Sequence, residues 1–115
     1  VPERQTTDGE PAGDPIYSTL PLDDREFCEI IIDFVRRLDP QIAEMRRLVT
    51  ASATNELIEL AHWLKGAGGT VGYSEFTSPS SALVDAARSG SMTECEKCVD
   101  AIASIRQRLV VPVLE

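Results

Sequence analysis

The feature that most restricts this chain is a stripe of apolar residues at Phe27, Ile31, Phe34, Leu38, Ile42, Met45 and Val49, one at every third or fourth position. That spacing is helical, because residues three and four apart share a face. Asp23 followed by Glu26 reads as a capping box that opens the helix, with Leu22 placed to staple onto Phe27. The stripe keeps its phase past Pro40, so a single helix kinked at the proline is expected. The alternative is a second, nearly collinear helix capped by Asp39 with Pro40 at its first position. A long helix with one apolar face is not stable alone in water and needs other helices to cover that face.

Those helices are legible further along. A break at Thr50–Thr54 is followed by a helical pattern from about Asn55 to Val71. A third element spans roughly Glu75–Arg88, carrying Phe76, Leu83, Val84 and Ala87, although Thr77 or Ser78 before Pro79 could equally be its start. Ser89-Gly90 ends it. Ser91 with Glu94 makes a further capping box, and the last helix carries Met92, Cys95, Val99, Ile102, Ile105 and Leu109 until Val110-Val111-Pro112 closes it. Long helices on short loops predict an all-α fold, an antiparallel up-down four-helix bundle.

Ahead of this, residues 1–15 hold three prolines, two glycines and no large apolar residue after Val1. They bury too little to offset their ordering entropy and read as a disordered linker, leaving 16–115 as the bundle. A linker at the front, on a chain that opens with Val, suggests a module excised from a longer protein. Ile16–Leu20 is expected to form a short N-terminal helical turn over one end of the core.

Charge narrows the function. A formal net charge of −8 argues against a nucleic-acid backbone or an anionic membrane surface as partner. There is no signal-peptide core and no apolar run of membrane-spanning length. Cys28, Cys95 and Cys98 make no disulfide framework, and a reducing cytoplasm is their simplest home.

The stretch LAHWLKGAGGTVGY, residues 60–73, is unusual. It holds the chain's only histidine, His62, and four glycines, although each glycine inside a helix costs about 1 kcal/mol relative to Ala. With residues placed at 100° intervals, Leu57, Leu60, Ala61, Leu64, Gly68 and Val71 fall within about 60° of one line, the buried stripe. His62, Gly66 and Gly69 point the other way. Gly68 is explained by close helix packing. Gly66 and Gly69 are not, and their bare backbone would let another protein approach the imidazole. Lys65, one turn on from His62, would favour negative charge placed on the ring. Glu59, one turn before it, is the nearest carboxylate and could orient a ring nitrogen. Ile58 offers an apolar docking contact, or is simply an edge-of-core residue.

Ala61-His62, Leu64, Lys65-Gly66, Gly69 and Gly72 together resemble the signature of histidine-containing phosphotransfer (HPt) domains. The resemblance extends more loosely over residues 16–110, including DDREF and DAARSG, with Pro79 as a departure. It implies a four-helix bundle of the kind found at the C-terminus of hybrid sensor histidine kinases. His62 would accept a phosphoryl group from a receiver-domain aspartyl phosphate and pass it to another receiver in two-component signalling. Lys65 would stabilise the phosphoryl charge, and Ile58, Glu59, Gly66 and Gly69 would meet the partner. Such a module is not an enzyme with turnover of its own. It would carry no cofactor and no metal, with Mg²⁺ belonging to the receiver, and would be monomeric as an isolated domain. Its place would be the cytoplasm, tethered or not to a membrane-bound kinase.

Two rivals use the same fold. One is a non-phosphorylated helical adaptor or oligomerisation module, which needs neither His62 nor Lys65. The other is the phosphoacceptor domain of a chemotaxis-type kinase, which would pair the histidine with a carboxylate. Cys95-Glu-Lys-Cys98 lacks a second cysteine pair for zinc and a preceding strand for redox chemistry, so it reads as core packing. The arginine pairs Arg36-Arg37 and Arg46-Arg47 read as solvated faces, the alternative being contact with an acidic receiver. Ser80-Ser81 has no base beside it in sequence and supports no nucleophilic catalysis.

Overall fold

A computed structural model describes residues 13–114 of the chain, so most of the expected linker, residues 1–12, lies outside the described residues. Four helices follow one another: α1 (Arg25–Thr50), α2 (Thr54–Thr70), α3 (Thr77–Ser89) and α4 (Met92–Arg108), with a 3₁₀ turn at Ser74–Phe76 leading into α3. Each helix packs on its neighbours in chain order, and α4 closes back onto α1. The result is a four-helix bundle. No helix among the described residues is long and apolar enough to cross a membrane.

α1 is one helix through Pro40, not two. Pro40 and Arg36, whose carbonyl the proline leaves without its helical donor, are both exposed, so that bond is lost on the solvent side of the helix, where the cost is least. Asp39 is therefore no cap. Its carboxylate instead accepts from Arg106 of α4, at 2.8 Å to Nε and 3.2 Å to Nη2. The middle of the stripe is buried as expected, but its ends shift by one residue: Cys28 and Leu48 are buried where Phe27 and Val49 are only half-buried. The buried residues recur more closely than about 3.6 apart, so the covered stripe winds slowly round α1 and leaves the two end residues of the expected stripe at its margin.

The opening of α1 also differs from the capping box read in the sequence. Asp24, not Asp23, is the cap, its Oδ1 accepting from the Glu26 amide at 2.9 Å. Leu22 is 40% exposed and does not staple, while its carbonyl accepts from the Cys28 thiol. At α4 the expected box holds in part, Ser91 Oγ accepting from the Glu94 amide at 3.3 Å.

Three helices end in the same way. The residues Ser52, Gly72 and Gly90 take φ of 54°, 86° and 78°. The next amide in each case bonds back to a carbonyl of the last turn: Ala53 to Leu48, Tyr73 to Gly68 and Ser91 to Ala86. This is the Schellman arrangement, which satisfies carbonyls that a helix end would otherwise leave bare.

The segment 16–20 is not a helical turn. Ile16 bridges to Leu109 in extended conformation, its amide donating to Arg108 O and its carbonyl accepting from Val110 N, both at 2.8 Å. Thr19 N donates to Gly72 O, and Ser18 Oγ donates to Val71 O at 2.6 Å. The main-chain groups that a helical turn would have paired locally are used to lace the ends of α2 and α4 together. Tyr73 adds to that seam, donating its hydroxyl to Val110 O at 2.8 Å.

Within the core, Phe34 of α1 is surrounded by the rings of Trp63 and Phe76, each centred 5.9 Å away, and of Tyr73 at 6.3 Å. These aromatic contacts join α1 to α2 and to the connection that follows it, which holds the outward face of α2 in place.

Candidate functional site

α2 divides into two faces. Leu57, Ala61, Leu64 and Gly68 are buried, as the wheel predicts, although Leu60 of the same stripe is only half-buried, while Glu59, His62, Lys65, Gly66, Gly69 and Thr70 are exposed. Ile58 is half-buried and packs against the core, so it forms the shoulder between them.

The glycines separate by what surrounds them. A Cβ on Gly68 would stand 3.1 Å from Phe76 Cβ and 3.2 Å from its Cδ2, so the bare backbone there is what lets α3's entry turn lie against α2. A Cβ on Gly66 or Gly69 would meet nothing within 4 Å. Gly72 needs both freedoms: its φ is positive, and a Cβ would fall 2.5 Å from Ser18 Oγ and 2.7 Å from Thr19 N. Packing thus explains Gly68 and Gly72 and leaves Gly66 and Gly69 unexplained.

His62 and Lys65 stand apart from internal polar contacts. Among the described residues neither takes part in a side-chain hydrogen bond, and the ion pairs are Arg25–Glu29, Arg46–Asp100, Arg47–Glu44, Lys97–Glu94 and Arg106–Asp39. Glu59 shares the exposed face but makes no hydrogen bond to the imidazole. The nearest polar device is Thr70, whose hydroxyl donates to Gly66 O at 2.9 Å and caps a carbonyl on the stripped face. Chemically, the arrangement is an imidazole open to solvent, an ammonium one turn away, and helix backbone bare enough for a second macromolecule to reach both.

Other candidates are placed elsewhere. Cys95 is fully buried in α4 and Cys98 half-buried beside it; both are free thiols, and burial pushes both above the usual thiol range. A thiol held in its neutral form is a poor nucleophile, which fits the packing role. Ser80 is completely buried and its hydroxyl has no partner among the described residues. No three His, Cys, Asp or Glu side chains among the described residues come together as metal ligands.

One part of the surface was not singled out by sequence. A groove between α1 and α2 is lined by Ile30, Asp33 and Arg37 on one side and Trp63, Ala67 and Thr70 on the other, over Phe34 and Val71. Its α2 wall adjoins the stripped strip, since Trp63 follows His62 and Thr70 is bonded to Gly66. Helical periodicity finds the face of one helix; it does not say which residues of another helix stand across the gap.

A family model described as Hpt domain matches residues 29–110 of the chain. No curated protein and no solved structure gives a match.

Proposed function

The chain belongs to the Hpt domain family, whose members serve phosphorelays as histidine phosphotransfer modules, and on that premise we propose that His62 is its phosphoacceptor. His62 takes a phosphoryl group from the aspartyl phosphate of a receiver domain and yields it to another receiver. In the first step the Nε2 lone pair forms the N–P bond as the aspartyl O–P bond breaks, the carboxylate leaving with the electron pair. The second step is the same displacement in reverse, with a different carboxylate attacking. Little covalent work falls to the protein in such a transfer. Positioning and charge stabilisation carry it.

The observation that carries this reading is the open ground around His62: an exposed imidazole with Gly66 and Gly69 on its own face, where a Cβ would meet nothing. Lys65 supplies positive charge for the incoming phosphoryl oxygens. Glu59 and Ile58 edge the docking surface, and Mg²⁺ is the receiver's. A chemotaxis-type acceptor would want a carboxylate on the ring, and Glu59 makes no hydrogen bond to it. The domain acts as a monomer in the cytoplasm, standing alone or as part of a hybrid sensor kinase.

The test is transfer of label. Wild type incubated with a phosphorylated receiver domain gains an acid-labile, base-stable phosphoryl group, and His62→Gln gains none. Equal labelling of the two proteins would sink the assignment.

A further inference from the structure

The groove between α1 and α2 holds a charge that the fold does not use. α1 carries five arginines, and among the described residues three are paired: Arg25 with Glu29 at 3.2 Å, Arg46 with Asp100 at 2.9 Å, and Arg47 with Glu44 at 2.6 Å. Arg36 lines a different groove, together with Val111 to Leu114 of the C-terminal segment. Arg37 alone of the five lines the groove that borders the stripped face of α2. Asp33 stands one turn before it in the same groove, yet the two make no ion pair within 4 Å. Two turns before Arg37, Ile30 lines the same groove and is 45% exposed, which gives the groove an apolar end beside its charge.

We propose that Arg37 is the orienting contact for the receiver. It takes a carboxylate of the docked partner while an apolar side chain of that partner covers Ile30 and the edge of Trp63. This rests on the reading of His62 as acceptor. Three observations select such an occupant. The partner must bring an acyl phosphate, so its face at His62 is anionic. The chain itself carries a formal net charge of −8, so its overall field repels that face and attraction must come from local cations. The cations also lie on opposite sides of the strip. Lys65 falls on one side of the His62–Gly66–Gly69 line, and Trp63, which faces Arg37 across the groove, falls on the other. A partner held at both points can seat in only one orientation. A face held by Lys65 alone could rotate about His62. Arg37 is thus a specificity contact rather than a catalytic residue, acting before the phosphoryl group moves.

The test separates docking from chemistry. Phosphoramidate labels His62 without any receiver and reports the imidazole alone. A phosphorylated receiver domain, chosen because it charges the wild type, reports docking through the concentration that half-saturates the transfer rate. Arg37→Glu is expected to raise that concentration about tenfold, with the saturated rate and the phosphoramidate labelling unchanged. Arg36→Glu makes the same change in net charge on the far groove and should leave the half-saturating concentration within about twofold of wild type. Asp33→Asn, which removes the competing carboxylate, should lower it. If Arg37→Glu behaves like Arg36→Glu, the orienting role is wrong while His62 stands. If neither phosphoramidate nor any phosphorylated receiver labels the wild type, both readings fall together.

Discussion

Gly68 and Gly72 press against other parts of the protein, whereas Gly66 and Gly69, a few positions away, press against nothing. The first pair is explained by the fold: Phe76 occupies the space over Gly68, and the segment at Ser18 and Thr19 occupies the space over Gly72. The second pair weakens the helix with no return inside the molecule. Identical residues a few positions apart therefore answer to different demands, one from packing and one from something outside the chain. The contrast teaches where to look for a partner, because a cost that the fold does not recover is a mark of function.

Substitutions at these sites should separate the two demands by sign. The largest effect is expected at Gly72→Ala. That change forces a left-handed φ on a side chain and drives its Cβ into the Thr19 backbone, costing about 3 kcal/mol in chemical denaturation. Gly68→Val comes next. Phe76 is fully buried and has little room to yield, so overpacking should destabilise by about 2 kcal/mol on the same measurement. A native-like midpoint for either variant would break the comparison on its inner side. The smallest effect on stability, and opposite in direction, is expected at Gly66→Gln. Its better helix propensity should raise stability by about 0.5 kcal/mol, while the added side chain obstructs the partner and slows transfer from a phosphorylated receiver about tenfold. Transfer at the wild-type rate would remove docking as the reason for the outer glycines.

A similar contrast separates the two ends of the polar surface. Where α1 meets α4, Arg46–Asp100 and Arg106–Asp39 tie the helices across their seam. Exposed pairs of this kind contribute little stability each, but they leave those charges committed. Where α1 meets α2, Arg37 remains uncommitted among the described residues, as does Lys65 on the far side of the stripped face. Arg46 and Arg37 look equivalent in sequence, two basic residues off the apolar stripe, and only the neighbouring helix distinguishes them.

What could be read without coordinates follows from periodicity and local backbone chemistry. The helices, the buried and open faces of α2, the end of α3 at Gly90 and the cap of α4 at Ser91 depend on residues within a few positions of one another. Pro40 was legible to the same extent, since an unbroken phase argued for one helix. The misreadings share a cause. Asp23 and Asp24 both suit a cap, and which one serves depends on where the preceding chain enters. Ile16–Leu20 has enough apolar character for a helical turn, but its amides and carbonyls meet the ends of α2 and α4, more than fifty residues away in sequence.

The sequence by itself determined that this protein is a helical bundle carrying one outward histidine on a helix cleared of side chains. The outward face follows from the angular positions of neighbouring residues on a single helix, and the bundle from several such helices each with an apolar face to cover. Only the tertiary structure decided that Phe76 lies over Gly68 and Ser18 and Thr19 over Gly72, which arginine borders the stripped face, and that Ile30 and Arg37 stand across a groove from Trp63. Each of those depends on how separate elements lie against each other, and packing of whole surfaces, not spacing along one of them, sets that relation.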